Sequence, residues 1–408
     1  MTAGLLQLNF IGPQDVYLTG NPQMTYFKSI YRSYSNFSKD LQKLQFENPV
    51  KLKGTQHSCI IKNYGDLLSN LYLYIELPQL VSLNNNESWA GYVNGVGFSI
   101  IESISFVIGG QTIDTYDYSW LDIYNELYDQ NSDTLVGKFN TDISLEENSY
   151  AQKLYIPLHF WFTKNNGSVL PLLALQSSEI KVNITFKKLE ELIKSDISNF
   201  EYVQSNISCY IIAKYIHIDT NEKKFFTNNK LEYLIEQTQI LSNFEIESKN
   251  AIKVPLNFSH PIKCIHWVII NDINTNPNMK TGNNWLSYTS SNSLYGDTFN
   301  SAYITINGQD RIPAMDAGYY RYVVPYETKL YSPRKFIYTY SFSLYPMQFQ
   351  PSGSCNYSRI DNNRSYLELH FNPINTLGGT TNGSVKVIGQ NYNILRIEEG
   401  RGSTLFSN

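Results

Sequence analysis

Charged residues are scarce in this chain, and so are cysteines and long apolar runs. Only 17% of its 408 residues are Asp, Glu, Lys or Arg, against about 25% in average proteins. No segment approaches the ~18 consecutive apolar residues that a membrane helix needs, and the N-terminus lacks the basic start and apolar stretch of a secretory signal. The formal net charge of -4 disfavours a broadly basic nucleic-acid-binding surface. The sequence therefore predicts a protein with no membrane anchor of its own and no direct sequence-specific binding of nucleic acid.

The four cysteines are scattered and include no C-x-x-C pair. A disulfide framework in a chain of this length would need more of them. We therefore expect buried, reduced thiols made in a reducing compartment. The four positions are Cys59, Cys209, Cys264 and Cys355.

Aromatic residues are abundant, with 32 Tyr and 21 Phe, and they favour strands over disorder. Apolar and polar residues alternate in many segments, as in residues 179–187, and this is the period of a half-buried strand. Predicted strands in the first half are residues 41–47, 55–63, 70–77, 99–108, 111–115, 153–162, 179–187 and 206–218. A second set begins at residues 232–247, 251–258 and 264–271.

One good helix pattern interrupts the strands. From residue 119 to 128, apolar side chains recur at helical spacing, while Asp122, Glu126 and Asp129 occupy the other face. Residues 170–175 and 187–194 are weaker helix candidates. The pattern indicates a mainly β protein with a few short helices in its loops.

The second half repeats the plan of the first. Ile108-Gly-Gly-Gln111 and Ile306-Asn-Gly-Gln309 each follow an alternating strand and precede an aromatic-rich segment. Gly-Gly and Asn-Gly supply the positive φ angles of a type I′ hairpin turn. The residues Val182, Ile184 and Phe186 match Leu367, Leu369 and Phe371 later in the chain. The same order of elements predicts a duplicated domain, with a longer insert in the first half at residues 130–149.

These patterns predict an all-β fold made of two tandem eight-stranded antiparallel jelly rolls. We expect an N-terminal arm at residues 1–24, a first jelly roll at 25–218, a linker at 219–229 and a second jelly roll at 230–408. Residues 271–295 are rich in Asn, Ser and Thr, which favours a long surface loop.

The sequence contains no phosphate-binding loop, no G-x-S-x-G elbow and no H-E-x-x-H motif. The histidines lack the close H-x-H pair of cupin metal sites, and adjacent glutamates diverge and favour solvated faces over a catalytic dyad. Arg359, Asp361 and Arg364 favour an ion-pair network in a loop. We therefore predict no catalytic, cofactor-binding or metal-binding residue. The residues considered are His57, His159, His217, His260, His266 and His370, with Glu146, Glu147, Glu190 and Glu191.

Long motifs throughout the chain resemble those of one protein family. The N-terminal motif is Gln14-Asp-Val-Tyr-Leu-Thr-Gly-Asn-Pro-Gln23, and the strongest is Gln350-Pro-Ser-Gly-Ser-Cys-Asn-Tyr-Ser-Arg-Ile-Asp361. Ile108-Gly-Gly-Gln-Thr-Ile-Asp114, Leu154-Tyr-Ile-Pro-Leu-His-Phe-Trp-Phe162 and Glu232-Tyr-Leu-Ile-Glu-Gln237 also match. They resemble the major capsid proteins of nucleocytoplasmic large DNA viruses, the double jelly-roll type of phycodnaviruses and iridoviruses.

The resemblance implies a structural function. Members of this family form homotrimers whose six jelly rolls make a pseudo-hexagonal capsomer of an icosahedral shell. It also implies neighbouring capsomers, minor capsid proteins and penton proteins as partners, an inner membrane nearby, assembly in the host cytoplasm and a place in the virion. The low charge and surplus of aromatic residues suit permanent interfaces.

Two other functions fit parts of the pattern. A carbohydrate-binding β-sandwich is also rich in aromatic residues and Asn, and predicts a monomer with a sugar or calcium site. A cupin-like enzyme predicts a bound metal. The mass of the native protein and a metal analysis distinguish the three.

The N-terminal arm is apolar in patches, such as Leu5 to Ile11 and Val16 to Leu18. Gly12-Pro13 and Asn21-Pro22 divide it into short pieces. A free arm would leave these side chains in water, at about 1.5–3 kcal/mol for each large one. We therefore expect the arm to dock under its own jelly rolls or on a neighbouring subunit.

Overall fold

The computed structural model describes residues 2–80, 90–138, 152–195, 207–247, 250–276, 282–289, 297–371 and 382–406. The chain divides into two units, Met1–Asn36 and Phe37–Asn408. The first unit contains the helices α1 (Ala3–Asn9) and α2 (Val16–Thr19), and neither of them buries a residue.

The second unit contains two sets of eight strands. The first set is β1 (Phe37–Gln45), β2 (Gln56–Ile60), β3 (Leu67–Leu77), β4 (Ile101–Ile108), β5 (Gln111–Asp117), β6 (Gln152–Pro157), β7 (Ile180–Phe186) and β8 (Ser208–Ile218). The second set is β9 (Leu231–Glu245), β10 (Ala251–Pro255), β11 (Pro261–Asn271), β12 (Ser301–Ile306), β13 (Gln309–Asp316), β14 (Tyr338–Ser341), β15 (Tyr366–His370) and β16 (Gly383–Glu398).

Both sets have the same sheet topology. The sheets of the first set have the orders β1-β8-β3-β6 and β2-β7-β4-β5, and those of the second have the orders β9-β16-β11-β14 and β10-β15-β12-β13. Adding eight to each strand number of the first set gives the second. The neighbouring strands are antiparallel. The predicted double jelly roll is therefore confirmed, and so is the duplication within the fold.

Short strands extend these sheets or pair with one another. Leu170–Pro171 pairs with β3, Cys355–Asn356 with β11 and Arg401–Thr404 with β16, while Ala90–Tyr92 pairs with Ile193–Ser195.

The two predicted hairpins occur at equivalent places, between β4 and β5 and between β12 and β13. Ile108 pairs with Gln111, and Ile306 pairs with Gln309. The intervening residues have φ angles of 56° and 85° in the first turn and 53° and 78° in the second. All four lie in the left-handed region, which Gly and Asn adopt most readily.

Each jelly roll has an aromatic core. In the first, the ring of Phe106 lies 5.0 Å from that of Phe160 and 5.4 Å from that of Trp161. In the second, the ring of Trp267 lies 5.0 Å from that of Tyr320. Along β7, alternate side chains are buried, as its sequence predicted.

The helices of the second unit are short and lie between strands. They are α3 (Val96–Ser99), α4 (Tyr118–Leu127), α5 (Trp161–Lys164), α6 (Thr220–Asn228), α7 (Asp272–Thr275) and α8 (Val324–Thr328), the last preceded by a π-helical segment, Tyr319–Val323. Turns of 3-10 helix occur at Asp133–Val136, Asn166–Ser168, Leu172–Ala174, Leu189–Leu192, Tyr357–Arg359 and Asn362–Arg364.

Several boundaries differ from the sequence-based expectations. The predicted strand at 153–162 ends at Pro157, because Phe160, Trp161 and Phe162 pack together against Phe106 instead of alternating across a sheet. The predicted helices at 170–175 and 187–194 are single 3-10 turns. Residues 139–151, most of the predicted insert at 130–149, lie outside the described residues. The limits proposed for the domains and linker stay a prediction, although the linker range includes α6.

The four thiols are free, as predicted. Cys59, Cys209 and Cys264 are buried, but Cys355 is only half-buried, which corrects the expectation of four buried thiols. Its short strand pairs with the start of β11, where Pro261 is also half-buried.

Candidate assembly surfaces

Helix α4 of the first jelly roll lies against a sheet of the second. It begins at Asp117, whose carboxylate accepts a hydrogen bond from the Trp120 backbone nitrogen at 3.1 Å. The Trp120 ring lies 5.7 Å from that of His266 on β11, and the Tyr128 hydroxyl donates to Gln390 on β16 at 2.7 Å. Because Trp267 faces the core of the second jelly roll, its neighbour His266 points out of the opposite face. Helix α4 therefore covers the outer face of the β9-β16-β11-β14 sheet.

We call the contact between α4 and the second jelly roll the seam. The acidic face of α4 is buried there. The Asp122 carboxylate is fully buried and contacts the ammonium groups of Lys138 at 2.9 Å and Lys335 at 2.7 Å. Burial would raise the pKa of Asp122, but the two lysines outweigh it and hold the pKa below its ordinary value. Glu126 contacts Arg334 at 2.9 Å. The polar face of an amphipathic helix is usually exposed, but these two carboxylates are buried.

A second group of ion pairs joins the two jelly rolls beside α4. Glu236 on β9 contacts Lys164 of the first jelly roll at 2.8 Å and also contacts Lys263 on β11. Burial opposes its ionisation, but the two lysines prevail and lower the pKa of Glu236 to about 2. The group borders a cavity of about 240 Å³, with Tyr124 and Tyr128 on its wall.

Asp114 is a buried carboxyl at the same seam. Its carboxylate accepts a hydrogen bond from the Thr238 backbone nitrogen at 2.9 Å. Burial raises the pKa of Asp114 to about 7, while that hydrogen bond and Lys164 act in the opposite direction. Strand β5 therefore contributes an ionisable group to the contact with β9.

We expect Asp114→Asn to change the pH dependence of stability. A carboxyl whose folded pKa lies above its unfolded value near 3.8 stabilises the fold most below about pH 4, and this contribution is lost as the pH rises through about 7. The stability of the variant relative to the parent should therefore rise across that window, by at most about 1.4 kcal/mol per pH unit. Urea unfolding at several pH values measures it, and parallel pH profiles for the two proteins would contradict the prediction.

Two of the six histidines lie at the seam. His159 stacks on Tyr124 at 4.2 Å, in a loop and not in the strand predicted for it, and His266 contacts Thr339 at 2.9 Å. Burial, followed by a nearby lysine, lowers the pKa of each to about 3. Both rings are neutral at physiological pH.

The other histidines lie apart from this pair. His57 and His260 are buried, His217 lies 4.0 Å from Asp66 and His370 lies 3.3 Å from Glu368. Within the described residues, no group of three His, Cys, Asp or Glu side chains is arranged to hold a metal ion.

The described members of the other candidate groups lie in short turns and loops. Glu146 and Glu147 lie outside the described residues. Glu191 accepts a hydrogen bond from the Lys188 backbone nitrogen at 3.1 Å and caps a 3-10 turn. Among the described residues, no ion pair joins Asp361 to Arg359 or Arg364, and the Asp361 carboxylate accepts a hydrogen bond from the Asn363 backbone nitrogen at 3.1 Å.

The first jelly roll displays aromatic side chains on the outer face of its β1-β8-β3-β6 sheet. Tyr74 stacks on Tyr210 at 4.5 Å and meets Tyr155 edge-on at 5.1 Å. Lysines flank the rings, with Lys43 over Tyr210 at 4.9 Å. We call this surface the tyrosine face, formed by Leu41, Lys43, Tyr72, Tyr74, Tyr155, Tyr210, Ile212 and Lys214.

Sequence reasoning missed both the seam charges and the tyrosine face. The alternation of Tyr72 and Tyr74 with buried leucines indicated a two-sided strand, but not whether its second face is covered. One feature of the sequence pointed to the charges at the seam. Arg334-Lys335 follows the aromatic segment of the second half, and a buried carboxylate needs a partner of opposite charge.

No helix in the described part of the chain is both long and apolar enough to span a membrane.

Comparisons with known proteins cover the whole chain. The profile of the family described as large eukaryotic DNA virus major capsid protein matches residues 222–403, and that of major capsid protein N-terminus matches residues 25–219. The chain is 32% identical to the major capsid protein of Pyramimonas orientalis virus and 31% identical to that of Paramecium bursaria Chlorella virus 1, each over 100% of both chains.

Solved structures of viral capsid proteins also match this chain over most of its length. The quasi-atomic model of the PBCV-1 virus capsid matches with a TM-score of 0.80 and 25% identity, covering 94% of this chain and 100% of that one. The Faustovirus major capsid protein has the same fold, with a TM-score of 0.73 at 12% identity, covering 95% and 94% of the two chains.

Proposed function

Because this chain belongs to the major capsid proteins of large eukaryotic DNA viruses, we propose that three copies of it form a pseudo-hexagonal capsomer of an icosahedral shell. The observation that carries the proposal is the repeated sheet topology, in which each chain supplies two jelly rolls of the same strand order. Three such chains supply six similar units, which is the number that a pseudo-hexagonal tile requires.

The seam supports this role. A tile needs the two jelly rolls of each chain held in one arrangement, and the buried contact of Asp122 with Lys335 ties α4 to the second jelly roll. Buried ion pairs are poor sources of net stability but are sensitive to geometry. We infer that the seam fixes the angle between the two jelly rolls of one chain.

The function needs no catalytic side chain, metal or cofactor. We propose that the chain is not an enzyme and that its buried histidines act only in packing. The capsid relatives disfavour the carbohydrate-binding and cupin-like alternatives.

The partners follow from the place of a capsomer in a virion. We propose that the chain contacts neighbouring capsomers, penton proteins and minor capsid proteins, with an inner membrane nearby, and that it assembles in the host cytoplasm. The domain limits of residues 25–218 and 230–408 belong to the same proposal.

The mass of the purified protein tests the trimer. Light scattering at micromolar concentration should give three times 47.0 kDa, with an interface of the obligate class, about 2,000 Å² or more. A stable monomer under these conditions would contradict the proposal.

Deleting residues 1–23 should leave both jelly rolls folded and weaken the attachment of capsomers to the layer beneath. The arm is rich in apolar side chains, and α1 and α2 bury none of their residues. Thermal unfolding and shell assembly of the truncated protein, each compared with the full chain, measure the two effects. Normal assembly with unchanged stability would show that the arm is dispensable.

A further inference from the structure

The covering of one sheet by α4 defines a contact between successive jelly rolls. Helix α4 lies between the fifth and sixth strands of the first jelly roll and covers the outer face of the β9-β16-β11-β14 sheet. Its contacts include Trp120 with His266, and Asp117 with Lys386 on β16 at 2.6 Å. As a result, the residues of β11 are buried on both faces of the sheet, apart from the half-buried Pro261 at its start.

The equivalent sheet of the first jelly roll carries the tyrosine face and is not covered in the same way. Leu41 is 57% exposed, and Tyr155, whose ring lies beside that of Tyr74, is 40% exposed. Along β1, most residues are exposed. The chain therefore presents the same structural surface twice, once covered by α4 and once partly exposed, with Tyr74 buried between the rings of Tyr155 and Tyr210.

The helical segment of the second jelly roll that is equivalent to α4 also has an exposed side. Tyr319–Val323 and α8 lie between β13 and β14, in the position that α4 has between β5 and β6. Tyr320 anchors the segment, because its ring packs on Trp267 and its hydroxyl donates to the Ala302 carbonyl at 2.8 Å. Apart from Glu327, its exposed side chains are apolar or aromatic, with Tyr322 47% exposed and Tyr326 76% exposed.

We propose that the helical segment Tyr319–Thr328 of one copy lies on the tyrosine face of the next copy, repeating between chains the contact that α4 makes within the chain. The inference rests on the trimer of the proposed function. Two different surfaces of the same chain then meet head to tail. Such a contact builds a closed ring when the rotations between successive copies add up to a full turn. In a trimer, internal and external contacts alternate around six jelly rolls.

The chemistry of the two surfaces is complementary. Aromatic side chains dominate both, as in the buried centres of protein interfaces. Lys43 and Lys214 flank the tyrosine face, and the helical segment presents the exposed carboxylate of Glu327. Opposite charges at the edge of such a contact set its register and favour the correct partner.

Charge substitutions at the two surfaces test the proposal in the full chain. Tyr326→Asp and Leu41→Asp each place a carboxylate in the proposed contact, and each should weaken the trimer roughly 30-fold or more, as expected at an interface hot spot. Phe225→Asp is the matched control, because Phe225 is an exposed aromatic side chain on α6 and belongs to neither of the two proposed contact surfaces. Light scattering over a dilution series measures dissociation, and circular dichroism reports folding.

The outcomes separate this inference from the proposed trimer. Dissociation of both interface variants, with a trimeric control, supports the contact. Trimers of unchanged strength for both variants would overturn it and leave the trimer standing. A monomeric parent protein would contradict the proposed function itself.

Cross-linking between two variants decides the matter even where a charge impairs folding. Chains carrying Tyr326→Cys and chains carrying Leu41→Cys are refolded together and treated with a short bis-maleimide. A cross-linked dimer should form only when both variants are present, because the contact joins two different patches. Equal cross-linking by either variant alone, or none in the mixture, would overturn the proposed contact.

Discussion

Asp122→Asn should destabilise the second unit by about 3–5 kcal/mol, the cost typical of breaking a buried ion pair. The substitution preserves the shape of the side chain but removes the charge that faces Lys138 and Lys335. Two ammonium groups at the seam then lose a fully buried carboxylate. Lys335 suffers most, because burial already lowers its pKa against the pull of Asp122.

Chemical unfolding at fixed protein concentration measures this change. Glu232→Gln is the matched control, since Glu232 contacts Arg396 at 3.0 Å but both side chains are partly exposed, and such a pair contributes about 1 kcal/mol or less. Equal effects of the two substitutions would show that the seam charges act like ordinary surface charges.

Trp120→Ala should cost about 3–5 kcal/mol, the range for removing a large buried aromatic side chain. The Trp120 side chain is almost fully buried and contacts both Tyr124 of its own helix and His266 of the other jelly roll. Its loss opens a cavity between the jelly rolls, so we also expect their unfolding to become less cooperative.

Calorimetry shows both effects, as a lower transition temperature and a broadened or divided transition. Phe225→Ala serves as the control, because an exposed side chain away from the core changes stability by about 0.5 kcal/mol or less. A single sharp transition at the parent temperature for Trp120→Ala would contradict the role given to the seam.

The fold could be predicted because its signals are local. Ile108-Gly-Gly-Gln111 and Ile306-Asn-Gly-Gln309 specify two turns by residues with left-handed backbone angles, and alternation along β7 specifies a half-buried strand. Both signals depend only on neighbours in the sequence. Their recurrence in the same order then revealed the duplication.

The seam could not be predicted because its contacts are distant in sequence. Asp122 and Glu126 have the spacing of a solvated helix face, yet their partners Lys335 and Arg334 lie in the other half of the chain. Periodicity shows which side chains share a face, not what covers it. The strand predicted through Phe162 ended early for a related reason, since tertiary packing of aromatic residues overrode their strand preference.

The exposure of the tyrosine face and of Tyr326 could not be predicted from the sequence either. An apolar residue on an open surface and one on a covered surface have the same local pattern. The two jelly rolls have the same strand order. The covered sheet of the second therefore shows which contact the equivalent sheet of the first lacks.

Electron-microscopic averaging of the purified assembly tests the central claim most directly, that each chain contributes two equivalent jelly rolls to a trimeric tile. The account predicts a ring with three-fold symmetry and six lobes, in which two alternating kinds of lobe correspond to the first and second jelly rolls. Particles with two lobes, or rings with a number of lobes other than six, would contradict it.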